Sequence, residues 1–202
     1  MCAHSKHLPA KERRLVTVKT VVELAGEQNP SEITTAAIAE RMGLTQGALF
    51  RHFANKEAIL QAVMEWAGAH LMARIEKAVA KQSPPCAALE SMFMAHVDFI
   101  VKHPGIPRML FGELQGSEET APKQMAQKLI SRYGALLNNL FEKGKSDGDI
   151  DPDLDNGTAA TLFIGTIQGL VMQSLIDGDV SQMQTNAPKV FAIYLRGIRS
   201  TS

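Results

Sequence analysis

Apolar residues recur at helical spacing along almost the whole chain, and the two-residue alternation of strands is rare. That pattern restricts the chain to an all-α fold. Leu15, Val18, Val22 and Ala25 share one face of a helix expected over 10–26. Pro9 sits near its start, where a missing N–H is tolerated. Gln28 to Ser31 reads as a loop, followed by two short helices over 35–42 and 46–52. Asn55 reads as the N-cap of a long helix reaching residue 80, with Glu57 in its first turn opposing the helix dipole. Ser83-Pro84-Pro85 ends it. Further helices are expected over 86–102, 106–113, 121–145, 155–177 and 186–199, for about nine in all.

The texture of the sequence changes near Lys56. Short helices and tight turns precede it, and long helices rich in Met, Leu, Phe and Ala follow. This implies a head over 1–56 and a larger helical body over 57–202. The net charge is zero, yet residues 1–56 carry eight Lys/Arg against five acids, and the remainder has the matching acidic excess. Such asymmetry fits a chain with one end on phosphate, and differences this small also arise by chance. Cys2 and Cys86 suggest neither a disulfide framework nor a zinc site. No run reads as long and apolar enough to span a membrane, and the N-terminus lacks the apolar stretch of a signal peptide, so the expected compartment is the cytoplasm.

The informative stretch runs from Thr34 to Lys56, TTAAIAERMGLTQGALFRHFANK. Two helices this short must cross steeply through a tight turn. Ala39 supplies the small residue a close crossing needs, and Gly43 tolerates the left-handed backbone of the turn. Ile38, Met42, Leu44 and Leu49 are the expected inside of the corner, with Thr45 capping the second helix. The outer face of that helix is Gln46, Gly47, Ala48, Phe50, Arg51 and His52, which suits insertion into a major groove. An ordinary helical hairpin in an all-α core would show the same spacing.

The segment strongly resembles the tetracycline-repressor (TetR) family of bacterial regulators. Its first corner helix opens with Thr34-Thr35 and carries Ile38-Ala39. Its second runs into Phe50-Arg51-His52-Phe53-Ala54-Asn55-Lys56-Glu57, matching the family's Tyr-x-His-Phe-x-x-Lys-Glu, with Gly47 and Leu49 in place. The resemblance implies a three-helix helix-turn-helix head that binds double-stranded operator DNA. It also implies a helical body that dimerises and holds a small-molecule effector. By the same token Thr35 and Thr45 would bond phosphates, Gln46 would read a base edge, Ala48 would offer a methyl contact, and His52 and Lys56 would clamp phosphate. Phe53 would fix the corner. Phe50 departs from the family's Tyr and has no hydroxyl to donate. The loop before Thr34 is longer than the family's usual Gly-containing turn. Arg13 and Arg14 could reach DNA from the first helix or simply be solvated.

In the body, Gly165 and Gly169 lie one turn apart on helix 155–177, where a partner backbone could approach closely. Interior glycine costs a helix about 1 kcal/mol against alanine, so a packing reason is expected. That helix and 186–199 would form a four-helix bundle with a second copy. Candidate effector-lining residues are Trp66, Met92, Phe93, His96, Phe99, Met109, Phe111, Met125, Tyr133, Phe163, Gln168 and Met172, though most such side chains are plain core. Ten methionines suggest a deformable cavity for a hydrophobic or aromatic ligand. Ligand would release the operator by a population shift.

No cofactor or metal is expected, and no catalytic constellation is present. Gly144-Lys145-Ser146 lacks the first glycine of a phosphate-binding loop, since position 139 is Asn139. Asp147, Asp149, Asp151, Asp153 and Asp155 alternate as in a calcium loop, but Pro152 and Thr158 occupy its required Gly and Glu positions. The histidines His4, His7, His52, His70, His96 and His103 form no metal-binding spacing. A rival reading is a helical ligand-binding protein whose head has lost specific operator binding.

Overall fold

The computed structural model describes residues 9–200. Among them it shows nine α-helices: α1 (Ala10–Glu27), α2 (Thr35–Arg41), α3 (Gln46–Phe50), α4 (Lys56–Val79), α5 (Pro85–Lys102), α6 (Gly105–Gln115), α7 (Ala121–Ser146), α8 (Asn156–Asp177) and α9 (Gln182–Ile198). A 3-10 turn, Pro30–Glu32, occupies part of the expected loop after α1. One isolated antiparallel bridge, Ile150 with Arg199, is the sole extended pairing among the described residues. Cys2, His4, Lys6 and His7 lie outside the described residues.

Two compact units emerge. One comprises the chain up to Ala69 together with His103–Gln127, and the other His70–Lys102 together with the chain from Lys128 onward. The compact division therefore does not fall after Lys56. The reason is the packing of α1 on α6, which draws α6 into the same unit as the head. Gly105 makes that approach possible: a Cβ there would lie 2.5 Å from the Val22 carbonyl oxygen and 2.8 Å from Ala25 Cβ. Arg108 Nη1 then donates to the Gly26 carbonyl at 3.0 Å, closing the C-terminal end of α1.

The buried face of α1 is Thr17, Val18, Thr20, Val21, Val22, Leu24 and Ala25. Leu15 is a correction: it is 40% exposed, and the buried run of α1 starts only at Thr17.

The second unit is built on α5, α8 and α9, which pack on one another. Its core is aromatic. Phe163 meets Phe93 edge-on at 5.4 Å and Tyr194 edge-on at 5.4 Å, with Phe191 and Tyr133 beside it. These are the arrangements ring quadrupoles favour. Tyr194 Oη donates to the Ala159 carbonyl at 3.1 Å, so the buried hydroxyl is satisfied.

Helix α9 begins at Gln182 rather than 186, with Pro188 inside it. Met183, Ala187, Phe191, Tyr194 and Ile198 are its buried ridge, and that ridge holds the extra turn against the unit. Helix α8 also overturns an expectation. Over 18 residues its mean hydropathy reaches 1.5, so by length and composition alone it could cross a membrane. Both its faces are apolar: Phe163, Ile167 and Val171 are buried, while Leu162, Met172 and Ile176 are exposed.

Asp155 Oδ1 accepts from Thr158 N at 2.7 Å and caps α8, and Asp151 Oδ1 accepts from Asp153 N at 2.9 Å. The alternating acids thus make a turn and a cap. No group of three or more His, Cys, Asp or Glu able to hold a metal occurs among the described residues.

Candidate nucleic-acid interface

The corner between α2 and α3 is assembled by local chemistry. Thr34 Oγ1 accepts from Ala37 N at 3.1 Å and starts α2, and Thr45 Oγ1 accepts from Ala48 N at 3.2 Å and starts α3. Between them Gly43 adopts φ +66°, where a Cβ would be strained. Ile38, Ala39 and Leu49 are buried at the crossing. Met42 and Leu44, expected inside the corner, are only half-buried. Asn55 Oδ1 accepts from Ala58 N at 2.8 Å and caps α4, as its position before Lys56 implied.

The side chains proposed for DNA remain uncovered. Thr45, Gln46, Gly47, Phe50 and Arg51 are exposed, and Thr35, Ala48, His52 and Lys56 are half-buried. Gln46 is held as well as exposed, since its Nε2 donates to Thr35 Oγ1 at 3.4 Å. Thr34, which the sequence offered only as part of a motif, uses its hydroxyl as the cap of α2 and leaves that of Thr35 facing Gln46. Arg41 pairs with Glu27 at 2.5 Å, joining the C-terminal ends of α2 and α1. The hydrogen bond from Arg41 holds the Glu27 carboxyl below its usual range.

Arg14 stays exposed yet is engaged. Its Nη1 donates to the His52 carbonyl at 2.5 Å, and its guanidinium lies 4.3 Å from the centre of the Phe53 ring. Spacing along α1 gave no sign of this contact, which joins residues far apart in the chain.

The candidate effector residues divide between the units. Trp66, Met109, Phe111 and Met125 belong to the first, where Trp66 meets His103 edge-on at 5.3 Å. Met92, Phe93, His96, Phe99, Tyr133 and Phe163 belong to the second, where His96 is half-buried and the others are buried. Gln168 and Met172 are exposed on the face of α8 away from Phe163, so helical periodicity separates them from the aromatic cluster. Gly165 and Gly169 lie on that same outward face, and a Cβ on either would meet nothing within 4 Å.

His96 Nδ1 and Tyr133 Oη are 3.2 Å apart. Burial pushes the His96 imidazole down to about 4 and the Tyr133 phenol above its usual range, so the pair is neutral near pH 7. The linkage has a definite sign. An unfolded histidine near pH 6.5 takes up a proton that folded His96 refuses until about pH 4. Stability should therefore fall as pH drops from 6.5 towards 4. Urea unfolding at pH 7.5 and pH 5 should show a shallower fall for His96→Asn than for the parent chain. Equal slopes would remove His96 as the cause.

Comparison with known proteins fits this geometry. The sequence profile of the tetR family of bacterial regulatory proteins matches residues 18–63, which contain α2, α3 and the start of α4. The profile of the C-terminal region of YsiA-like proteins matches residues 67–197. The chain belongs to the TetR family. It is a transcription regulator of that family, with the family's helix-turn-helix and helical C-terminal domain.

Among TetR-like relatives, the nucleoid occlusion factor SlmA of Alteromonas mediterranea is 27% identical over 171 residues, covering 81% of this chain and 88% of that protein. The regulator FadR from Bacillus subtilis, solved with stearoyl-CoA, superposes with a TM-score of 0.80 at 20% identity, covering 91% of this chain and 98% of that one. The ketosteroid transcriptional regulator KstR2 of Mycobacterium tuberculosis superposes with a TM-score of 0.76 at 22% identity, covering 93% and 95%.

Proposed function

We propose that this TetR-family regulator is a cytoplasmic repressor that binds a palindromic operator as a homodimer and leaves it when a small apolar effector binds. In this reading residues 1–56 hold DNA, and 57–202 hold the effector and pair with a second copy. The observation that carries the reading is the uncovered face of α3. Leu49 is directed into the core, while Gln46, Gly47 and Phe50, with Arg51 just past the helix end, are left to solvent on a helix packed on α2. Such a face is the one a helix-turn-helix inserts in the major groove.

Gln46 reads a base edge in this scheme, its amide steadied by Thr35. Ala48 offers a methyl contact, and Thr35, Thr45, His52 and Lys56 bond phosphate. Lys56 stands at the N-terminal end of α4, where the dipole also favours phosphate. Gln46→Ala should change preference at one base pair per half-site, at a cost of about 1–3 kcal/mol there. His52→Ala and Lys56→Ala should weaken binding to all sequences alike. Selection of preferred sites from a random DNA pool by each variant checks this. Unchanged preference in Gln46→Ala would remove its assignment as the base reader.

The effector is inferred to be apolar because the second unit presents an aromatic core with one neutral polar pair, His96 and Tyr133. FadR was solved with stearoyl-CoA and KstR2 is named for ketosteroids, which supports the same ligand chemistry. The exposed stripe Leu162, Gly165, Gly169, Met172 and Ile176 on α8 supports pairing with a second copy. Phe50, 43% exposed and without a hydroxyl, favours the rival reading of a ligand-binding body whose head no longer holds an operator. A gel shift with the DNA upstream of the gene separates the two.

A further inference from the structure

We propose that Arg14 is the positioning residue that sets α3 for DNA reading, acting from α1 through the carbonyl of His52 rather than through a phosphate. The proposal rests on the assignment of α3 as the DNA-reading helix.

Three observations carry it. First, α3 is five residues long, Gln46–Phe50, too short to hold its own direction by internal hydrogen bonds. Its orientation must come from what grips its two ends. The N-terminal end is gripped by the Thr45 cap and by the corner with α2. At the C-terminal end the chain leaves through Arg51, His52 and Phe53 before α4 begins, and there Arg14 Nη1 donates to the His52 carbonyl.

Second, the same guanidinium lies 4.3 Å from the centre of the Phe53 ring, and Phe53 is 2% exposed. A planar guanidinium can donate in its own plane while its face lies on an aromatic ring, which an ammonium cannot do in one fixed pose. The two contacts together fix both the height and the rotation of the segment that follows α3.

Third, the residues immediately downstream are those assigned to phosphate. The side chain of His52 stands on the same residue whose carbonyl Arg14 holds, and Lys56 follows at the start of α4. Arg14 thus aligns Gln46 on one side of the anchor with His52 and Lys56 on the other. Its guanidinium, though exposed, is engaged by the His52 carbonyl and the Phe53 ring.

The test uses the full chain with Arg14→Lys and Arg14→Ala, at protein concentrations matched for folded fraction by circular dichroism. Binding to the selected operator and to unrelated duplex is measured across a range of salt. Positioning predicts that both variants lose operator preference over unrelated DNA by about tenfold per protomer, the size of one charge-assisted hydrogen bond. The salt slope should stay that of the parent chain, because no phosphate contact is removed. Amide exchange of Leu49, His52 and Phe53 in the DNA-free protein should quicken. The proposal is overturned if Arg14→Lys restores parental preference, or if the slope falls by about one ion per protomer in Arg14→Ala, the signature of a phosphate contact. Failure of the parent chain to bind any duplex would instead strike the DNA-reading assignment of α3 itself.

Discussion

Gly169→Arg is expected to leave a folded chain that no longer pairs with its copy. Within one protomer the substitution meets no obstacle, since a Cβ at Gly169 has nothing within 4 Å. Arginine also suits a helix interior better than glycine by roughly 1 kcal/mol. The effect should appear only where a second copy approaches. Leu162, Met172 and Ile176 are 57%, 46% and 70% exposed on the same face, an apolar stripe on a helix otherwise committed to the core. A symmetric interface would bring the two arginines towards each other in desolvated surroundings, which strongly opposes association. Operator binding should then drop by about 10²–10⁴-fold, since one head can no longer recruit the other to the second half-site. Sedimentation velocity and operator titration read the two effects together. A Gly169→Arg chain that sediments as the parent does would mean that the stripe is not the pairing surface.

Phe163→Ala is expected to be the most destabilising single truncation in the second unit. Phe163 is fully buried and meets the rings of Phe93, Tyr133, Phe191 and Tyr194. Its removal opens a space that three helices must either leave empty or collapse around. Truncations of this kind cost about 3–5 kcal/mol, a large part of the margin by which a domain is folded. In a chain of this size the melting temperature should fall by roughly 10 °C or more. Met172→Ala on the opposite face of α8 should cost the isolated protomer far less, because Met172 is 46% exposed there. A loss below about 1 kcal/mol for Phe163→Ala would show that the aromatic cluster is not the structural centre of the unit.

Features decided by short-range chemistry were legible in the sequence. Thr45 and Asn55 each cap a helix by accepting from an amide three residues on, so the signal lies within a few residues of its effect. Gly43 was readable for the same reason, as a turn of this length demands a left-handed residue and glycine stands there. The corner and the family motif followed.

What escaped depends on partners distant in sequence. Nothing near Gly105 announces that Val22 and Ala25 will press against it, so α6 was assigned to the body rather than to the unit that contains α1. Arg14 looked like one more basic residue on an exposed face, although the carbonyl it holds lies 38 residues away. Leu15 carried the right period and still ended up exposed, because period marks a face and not the extent to which that face is covered. Gln168 and Met172 were grouped with Phe163 by their polarity and size. The rotation of α8 separates them. Helix α8 also shows why hydropathy alone misleads, since an apolar outer face raises its mean hydropathy to 1.5 beside a core-facing one.

In the proposed function the corner at Ala39 and Gly43 delivers α3 into DNA twice, once from each copy. Hydroxyl-radical footprinting of the purified chain on the DNA upstream of its gene tests this most directly. The expected pattern is two protected patches related by a two-fold axis, their centres about 10 base pairs or a multiple of it apart, with the preference at one base pair in each altered by Gln46→Ala. Protection of a single unpaired patch, or none at low salt, would contradict it.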